Sequence, residues 1–304
     1  MNISNENEIH SPKRNVNFEI LRIMAAFGIV SYHANAPMKD IPYAGLVVFL
    51  ALSPLVETKF NWTNIRHLTH FSKSLLIPWT FWFIVYAGAN WVIGKPPLPE
   101  GYSLASLLYG SSPHLWFLPF IFIMMFAVSQ LKRAFSATQV FWLSVIATAA
   151  ILLTSNEWRP YAINVAVPYA QWAHAIAAVF GGLALGTYRL GMKYAWAGLV
   201  LVGCALGICA GYVIPGISLT YPIGLLLVAF AMFAPDRLSK YEKVIRPVSQ
   251  CMFGVYLVHI LAIAIVNRFT PVSNYRAVIL IFCACLMGVF VTRRILPQAR
   301  IVLG

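Results

Sequence analysis

The sequence predicts an all-α membrane protein, a bundle of about ten transmembrane helices with both termini in the cytoplasm. Two observations lead to this fold class. Of the 304 residues, 60% are hydrophobic and only 10% are charged, with a mean hydropathy of +0.74, whereas soluble domains carry about 25% charged residues. Apolar stretches of spanning length also recur along the whole chain, joined by short polar links.

Ten stretches are candidate spans: 17–36, 41–57, 74–94, 114–131, 139–154, 164–187, 194–213, 218–234, 250–267 and 275–291. The segments 41–57 and 139–154 are short for a span, so we expect them to be tilted, re-entrant or half-helical. Residues 1–16 are polar and lack an apolar core, which predicts a cytoplasmic N-terminal tail instead of a signal peptide. The transmembrane domain is predicted over 17–292, and a cytoplasmic C-terminal tail over 293–304.

The distribution of basic residues sets the predicted orientation. With ten helices and the N-terminus inside, sixteen of the 22 Lys and Arg residues fall on the cytoplasmic side. The others are Arg22, within the first helix, and five on the opposite side: Lys39, Lys95, Arg159, Arg268 and Arg276. This bias is the one that the positive-inside rule describes. The net charge of +13 is therefore explained by topology, and we expect no nucleic-acid partner.

The first segment carries Glu19, Arg22 and His33 within an apolar run. Arg22 and His33 are 11 residues apart, about three helical turns, so they share one stripe at an axial separation of roughly 16 Å. Glu19 lies one turn before Arg22 and can pair with it. We expect an ion pair near one membrane face and an imidazole near mid-depth. Ionisable groups inside a membrane are costly and indicate a functional site.

A basic stretch follows the second segment and contains Lys59, Arg66, His67, His70 and Lys73. Simple positive-inside anchoring explains these residues equally well. The functional alternative is a phosphate-binding rim at a cytoplasmic opening, since Arg and Lys recognise phosphate. Two histidines form an incomplete zinc set, so we predict no metal site.

Polar side chains also occur in later segments. His114 and Trp116 open the fourth segment, where Trp116 suits an interfacial aromatic belt and His114 an outward vestibule. In the ninth segment, Ser249, Tyr256 and His259 are spaced by seven and three residues, which predicts one helix face towards the bundle interior.

Other features have simpler interpretations. We expect His174 to be a hydrogen-bonded core residue, and Gly181, Gly182 and Gly186 to allow close helix packing. The five cysteines lie in apolar segments without a Cys-x-x-Cys pair, as expected of small buried side chains. The sequence contains no glycine-rich phosphate loop and no nucleophile elbow.

Five blocks, in order along nearly the whole chain, resemble the acyltransferase-3 family of integral membrane acyltransferases. They are Arg22 and His33 with Glu19 ahead; Leu75-Leu76-Ile77-Pro78; His114-Leu115-Trp116-Phe117-Leu118; the Phe/Gly-rich run 178–186; and Phe253-Gly254-Val255-Tyr256-Leu257-Val258-His259. The chain departs from the family pattern in the second span, where Pro54 follows Ser53. It also has Lys73 and Ser74 where the family usually has an arginine pair.

The resemblance implies transfer of an acetyl group from cytoplasmic acetyl-CoA to a hydroxyl of a surface, exported or lipid-linked glycan in the inner membrane of a bacterium. Acetyl-CoA enters as the acyl donor, and no cofactor is expected to be permanently bound. His33 is the expected general base, with Arg22 and Glu19 beside it. Further expected roles are donor binding for Arg66, His70 and Lys73, and substrate contact or support for His114, Trp116, Ser249, Tyr256 and His259.

Two alternatives stay open from the residues alone. A transporter or flippase for a lipid-linked saccharide also needs polar groups inside a bundle. An acyltransferase with the same site could act instead on a small metabolite, because one sequence does not define the acceptor pocket.

Overall fold

The computed structural model describes residues 15–63, 67–189, 191–272 and 274–304, and within these ranges it is helical and contains no strand. Ten long helices, labelled α1 to α10 in order, are Val16–His33, Ala44–Phe60, Leu68–Val92, Phe117–Ala134, Ala137–Leu153, Tyr169–Thr187, Ala195–Gly211, Thr220–Phe233, Met252–Asn267 and Tyr275–Ile295. The shorter helices are Leu104–Tyr109, Ser155–Ala162, Glu242–Ser249 and Arg300–Leu303. Each of the ten predicted segments coincides with a long helix, and the all-helical prediction is confirmed.

Three helices, α3, α4 and α10, are long and apolar enough to cross a membrane on their own. Two further spans arise if each bent pair of helices is counted as one span. The first pair is α5 and Ser155–Ala162, whose axes differ by 73°, and the second is Ser239–Ser249 and α9, whose axes differ by 42°. The described residues thus form a multi-pass membrane protein with three to five spans by this measure. The number of ten spans and the side of each terminus stay predictions.

The first helix begins at an Asn cap and ends earlier than the sequence suggests. The Asn15 side chain accepts a hydrogen bond from the backbone N–H of Asn17 at 2.8 Å, which fixes the start of α1. His33 is the last residue of α1, and two residues later Asn35 has a φ of 52°, which stops the helix. The imidazole therefore lies at the C-terminal end of α1, and its expected place near mid-depth of the membrane stays a prediction.

Helix α2 lies at the centre and packs against α1, α6 and α8. It is one continuous helix through Pro54, so it is not re-entrant. Glycines allow its close contact with α6: a Cβ on Gly182 would lie 2.1 Å from the Ala51 carbonyl oxygen, and one on Gly186 would lie 2.1 Å from Thr58 Oγ1. The prediction of close packing at these glycines is confirmed.

One end of the bundle contains the C-terminal end of α1 and the loop 34–43; we call it the cavity end. The Thr220 hydroxyl, at the start of α8, donates to the carbonyl of Asp40 at 3.3 Å. The Tyr275 hydroxyl, at the start of α10, donates to the carbonyl of Pro37 at 2.8 Å. These bonds place the starts of α8 and α10 beside the end of α1.

The opposite end holds the start of α1 and the last residues of the chain; we call it the terminal end. The Ser249 hydroxyl, three residues before α9, donates to Glu19 in the first turn of α1 at 2.5 Å. A Cβ on Gly304 would contact the ring of Phe253, at the start of α9. The first and last described residues therefore lie at the same end.

Candidate functional site

A cavity of about 350 Å³ opens at the cavity end of the bundle. Its lining combines apolar residues with an unusual number of aromatic and polar side chains. These are Tyr32, His33, Tyr43, Tyr109, His114, Trp116, Arg159, Gln171, His174 and Tyr256. A concave site with a few convergent polar groups is the usual form of a ligand-binding site.

Three histidines from separate parts of the chain meet beside this cavity. His33 ends α1, His114 precedes α4, and His259 lies in α9. The ring centroids of His33 and His259 are 5.1 Å apart, as are those of His114 and His259. His114 and His259 are 2% and 0% exposed, whereas His33 is half-buried. Of the three, His33 is therefore the most accessible to a ligand in the cavity, which His114 also lines.

Hydrogen bonds hold the two buried rings. His259 Nδ1 lies 2.6 Å from the Tyr256 carbonyl oxygen, and because a carbonyl only accepts, Nδ1 carries the proton. The neutral ring then has its lone pair on Nε2, which has no hydrogen-bond partner among the described residues. His114 Nδ1 lies 3.0 Å from the Ser112 hydroxyl, and its Nε2 is likewise unpartnered within the described chain.

Two tyrosines fasten the histidine cluster to its surroundings. The Tyr256 hydroxyl donates to the backbone carbonyl of His114, and the two rings are 5.3 Å apart. The Tyr86 hydroxyl donates to the carbonyl of Leu257 at 2.8 Å, and its ring lies 5.1 Å from that of His114. These contacts join α3 and α9 to the segment that carries His114.

A row of stacked rings forms the other side of the cavity. Tyr32 stacks on Tyr43 at 4.2 Å, and Tyr43 stacks on His174 at 5.5 Å. Neither ring nitrogen of His174 has a hydrogen-bond partner among the described residues. The prediction of a hydrogen-bonded core histidine is therefore wrong, since His174 instead lines the cavity.

The structure places five predicted site residues at this cavity. Four line it directly: His33, His114, Trp116 and Tyr256. His259 lies behind them, against the rings of His33 and His114. The sequence predicted each of these residues separately, and the bundle brings them together.

Glu19, Arg22 and Ser249 form a separate cluster near the start of α1. Arg22 Nη1 lies 3.2 Å from a Glu19 carboxylate oxygen, and the Ser249 hydroxyl donates to Glu19 at 2.5 Å. The predicted shared face of Ser249, Tyr256 and His259 is interrupted, because the chain bends by 42° between the segment ending at Ser249 and α9. All three side chains are buried, as expected: Ser249 contacts Glu19 of α1, and His259 lies beside His33 at the end of α1.

Of the residues predicted to bind the donor, the two that the structure describes do not line the cavity. His70 and Lys73 are exposed near the start of α3. Arg66 lies outside the described residues. Among the described residues, no group of three or more His, Cys, Asp or Glu side chains is arranged to hold a metal ion.

Sequence reasoning missed Tyr32, Tyr43, Arg159 and Gln171 as cavity residues. Arg159 lies in a polar segment whose composition predicts a link between spans, and Tyr43 precedes α2. Their positions along the chain carry no common spacing, because they come from separate elements that only the folded bundle brings together. Arg159 alone carried a sequence signal, because it is a positive charge on the predicted outer side, where the positive-inside rule expects few basic residues.

Comparison with known proteins gives one finding. A family model described as an acyltransferase domain matches residues 15–293, nearly the whole chain. Neither the curated proteins nor the solved structures gave a match.

Proposed function

The chain belongs to the acyltransferase-3 family, and from that premise we propose that it moves an acetyl group from acetyl-CoA to a hydroxyl of a glycan or lipid-linked saccharide. Membership and the helical fold support a membrane acyltransferase. The finer assignment of donor, acceptor and catalytic base is our proposal. It depends above all on one observation: His33 lines a cavity and has two buried histidines beside its ring.

In the proposed reaction, His33 is the general base. The acceptor hydroxyl attacks the carbonyl carbon of the thioester, and His33 takes the hydroxyl proton as the new C–O bond forms. The C–S bond then breaks, and the proton passes from His33 to the departing thiolate, which leaves as the free thiol of CoA. A partly accessible imidazole suits both steps because a ring nitrogen can accept the proton and then return it.

His259 and His114 are proposed as positioning residues for His33. Both are buried, and each is tied through Nδ1 to a neighbouring group, which limits ring rotation. The unpartnered Nε2 of His259, which carries the lone pair, makes that ring available to accept a hydrogen bond. Such a bond from one N–H of His33 would leave the other nitrogen of His33 free to act as the base.

The donor is proposed to approach from the terminal end of the bundle. The exposed Lys73 and His70 at the start of α3, together with Arg66, would contact the phosphates of acetyl-CoA. Since α1 is 18 residues long, about 27 Å, the arm that carries the thioester would have to extend along the bundle to reach His33. Arg22, beside Glu19, is proposed to lie on this path.

The acceptor is proposed to enter at the cavity end, on the outer face of a bacterial inner membrane. The five basic residues that the charge bias assigns outside include Arg159, which lines the cavity. In this proposal, acetyl-CoA and the acceptor approach from opposite sides of the membrane and meet at His33.

Isotope labelling tests the proposal. Membranes from cells with and without the protein are supplied with acetyl-CoA that carries a ¹³C-labelled acetyl group, and glycans, lipid-linked saccharides and small metabolites are then analysed by mass spectrometry. The proposal requires a labelled acetyl ester on a saccharide that depends on the protein. A labelled ester only on a small metabolite would refute the proposed acceptor. Redistribution of a lipid-linked saccharide without any labelled ester would instead indicate a transporter.

A further inference from the structure

Arg159 is an unpaired cation in the wall of the cavity. It lies in the short helix Ser155–Ala162, which leaves α5 at an angle of 73°. Its guanidinium forms no hydrogen bond and no ion pair with any residue that the structure describes. The cavity lining contains no Asp or Glu, and the exposed Asp40 interacts electrostatically with Tyr32. Arg159 is therefore the one Lys, Arg, Asp or Glu side chain among the described residues of the lining, while the carboxylates of Asp40 and Glu100 act on Tyr32 and Tyr109 from outside it.

Two further polar groups lie on the same wall without partners. His174 is 2% exposed, and neither of its ring nitrogens is hydrogen-bonded within the described residues. The side-chain oxygen of Gln171, three residues earlier in α6, is also buried and unpartnered there. Arg159 interacts electrostatically with both Tyr43 and His174. Buried polar groups are normally hydrogen-bonded, so this set is suited to a polar ligand.

We propose that Arg159, Gln171 and His174 form an acceptor subsite that binds an anionic group, a carboxylate or a phosphate, on the saccharide. This inference rests on the proposed function for the identity of the ligand as the acceptor. Arg binds both groups through paired N–H donors in a planar fork. His174 donates to an anionic oxygen, and Gln171 accepts from a neighbouring hydroxyl.

The stacked rings connect this subsite to the proposed base. From His33, ring centroids follow at 5.3 Å to Tyr32, 4.2 Å to Tyr43 and 5.5 Å to His174. An acceptor held by its anionic group at Arg159 therefore lies along this row with its hydroxyls towards His33. The subsite selects the saccharide, while His33 acts on it.

A binding experiment without acyl donor tests the subsite. The purified protein in lipid nanodiscs is titrated with methyl glucuronide, glucose 6-phosphate and the neutral methyl glucoside. We expect at least one anionic sugar to bind tenfold or more tightly than methyl glucoside, and the comparison of the two shows whether the carboxylate or the phosphate is preferred. Arg159→Gln should remove this preference, a loss of about ten- to a hundredfold, and leave methyl glucoside binding unchanged. The matched control is Arg268→Gln, an exposed arginine after α9 that does not line the cavity.

The outcomes separate this subsite from the proposed reaction. Equal affinity for charged and neutral sugars, no saturable binding of either anion, or an unchanged preference in a folded Arg159→Gln protein would overturn the subsite. Because the titration contains no acetyl-CoA, its result does not depend on the proposed chemical step. Anion binding without any acetyl transfer would contradict the proposed function and leave the subsite intact. If acetyl transfer were detected but Arg159→Gln left the preference for the anionic sugar unchanged, the proposed function would stand and the subsite would be overturned.

Discussion

Gly182→Ala should destabilise the protein by opening the contact between α2 and α6. The added Cβ would lie 2.1 Å from the Ala51 carbonyl oxygen and 2.7 Å from the Ala51 Cα, whereas an ordinary contact begins at 3.4 Å. The helices must therefore separate by roughly 1.3 Å, because backbone atoms cannot rotate away as side chains do. Overpacking of this kind lowers the free energy of unfolding by about 1–3 kcal/mol. The higher helix propensity of Ala than of Gly offsets about 1 kcal/mol of this loss. We expect a net loss of about 1 kcal/mol, and at most about 2 kcal/mol.

The measurement is the free energy of unfolding in mixed micelles, followed by intrinsic fluorescence against increasing denaturing detergent. Gly207→Ala is the matched control, because Gly207 is in the middle of α7 and an added Cβ would meet nothing within 4 Å. That variant should be unchanged or slightly more stable. If Gly182→Ala and Gly207→Ala were equally stable, the close approach of α2 to α6 would not exist in the protein, and the reasoning from these glycines would fail.

Three further predictions concern the terminal end and the orientation. Ser249→Ala should cost about 1.5–3 kcal/mol of unfolding free energy, because it removes a hydrogen bond to the buried Glu19 carboxylate; an unchanged unfolding curve would contradict that bond. Lys73→Gln should weaken acetyl-CoA binding several-fold in a calorimetric titration, with a smaller effect at high salt, and unaltered binding would make Lys73 a topological anchor only. Cysteines placed beside Lys95 should react with a membrane-impermeant reagent in intact cells while those beside Arg133 should not, and the opposite labelling would refute the orientation.

The helices were predictable because each one needs a long apolar stretch, and the sequence contains ten. The residues at which the helices end were less predictable. α1 stops at His33 because Asn35 takes a left-handed conformation, which an apolar window extending to residue 36 does not show. The 73° bend after α5 occurs at a polar stretch that was interpreted as a simple link, although half of a broken helix was among the expectations for that segment.

The site was predictable only in part, for a related reason. Helical spacing identified His33 and His259 on their own helices, but not that their rings meet. Arg159, Tyr43 and His174 converge from a short helix, a helix start and the interior of α6. Such convergence depends on how helices pack, and helix packing leaves little trace in the local pattern of any one segment.

The most direct test of the central claim is the rate of acetyl transfer by His33→Ala, expressed per folded molecule, with acetyl-CoA binding measured on the same preparation. The acceptor is the saccharide that the isotope experiment identifies. We expect donor binding close to that of the unaltered protein and a rate lower by about 10²–10⁴. His259→Ala, which alters only the positioning of His33, should lose less. A well-folded His33→Ala protein that transfers acetyl groups at the normal rate would contradict the assignment of His33 as the base.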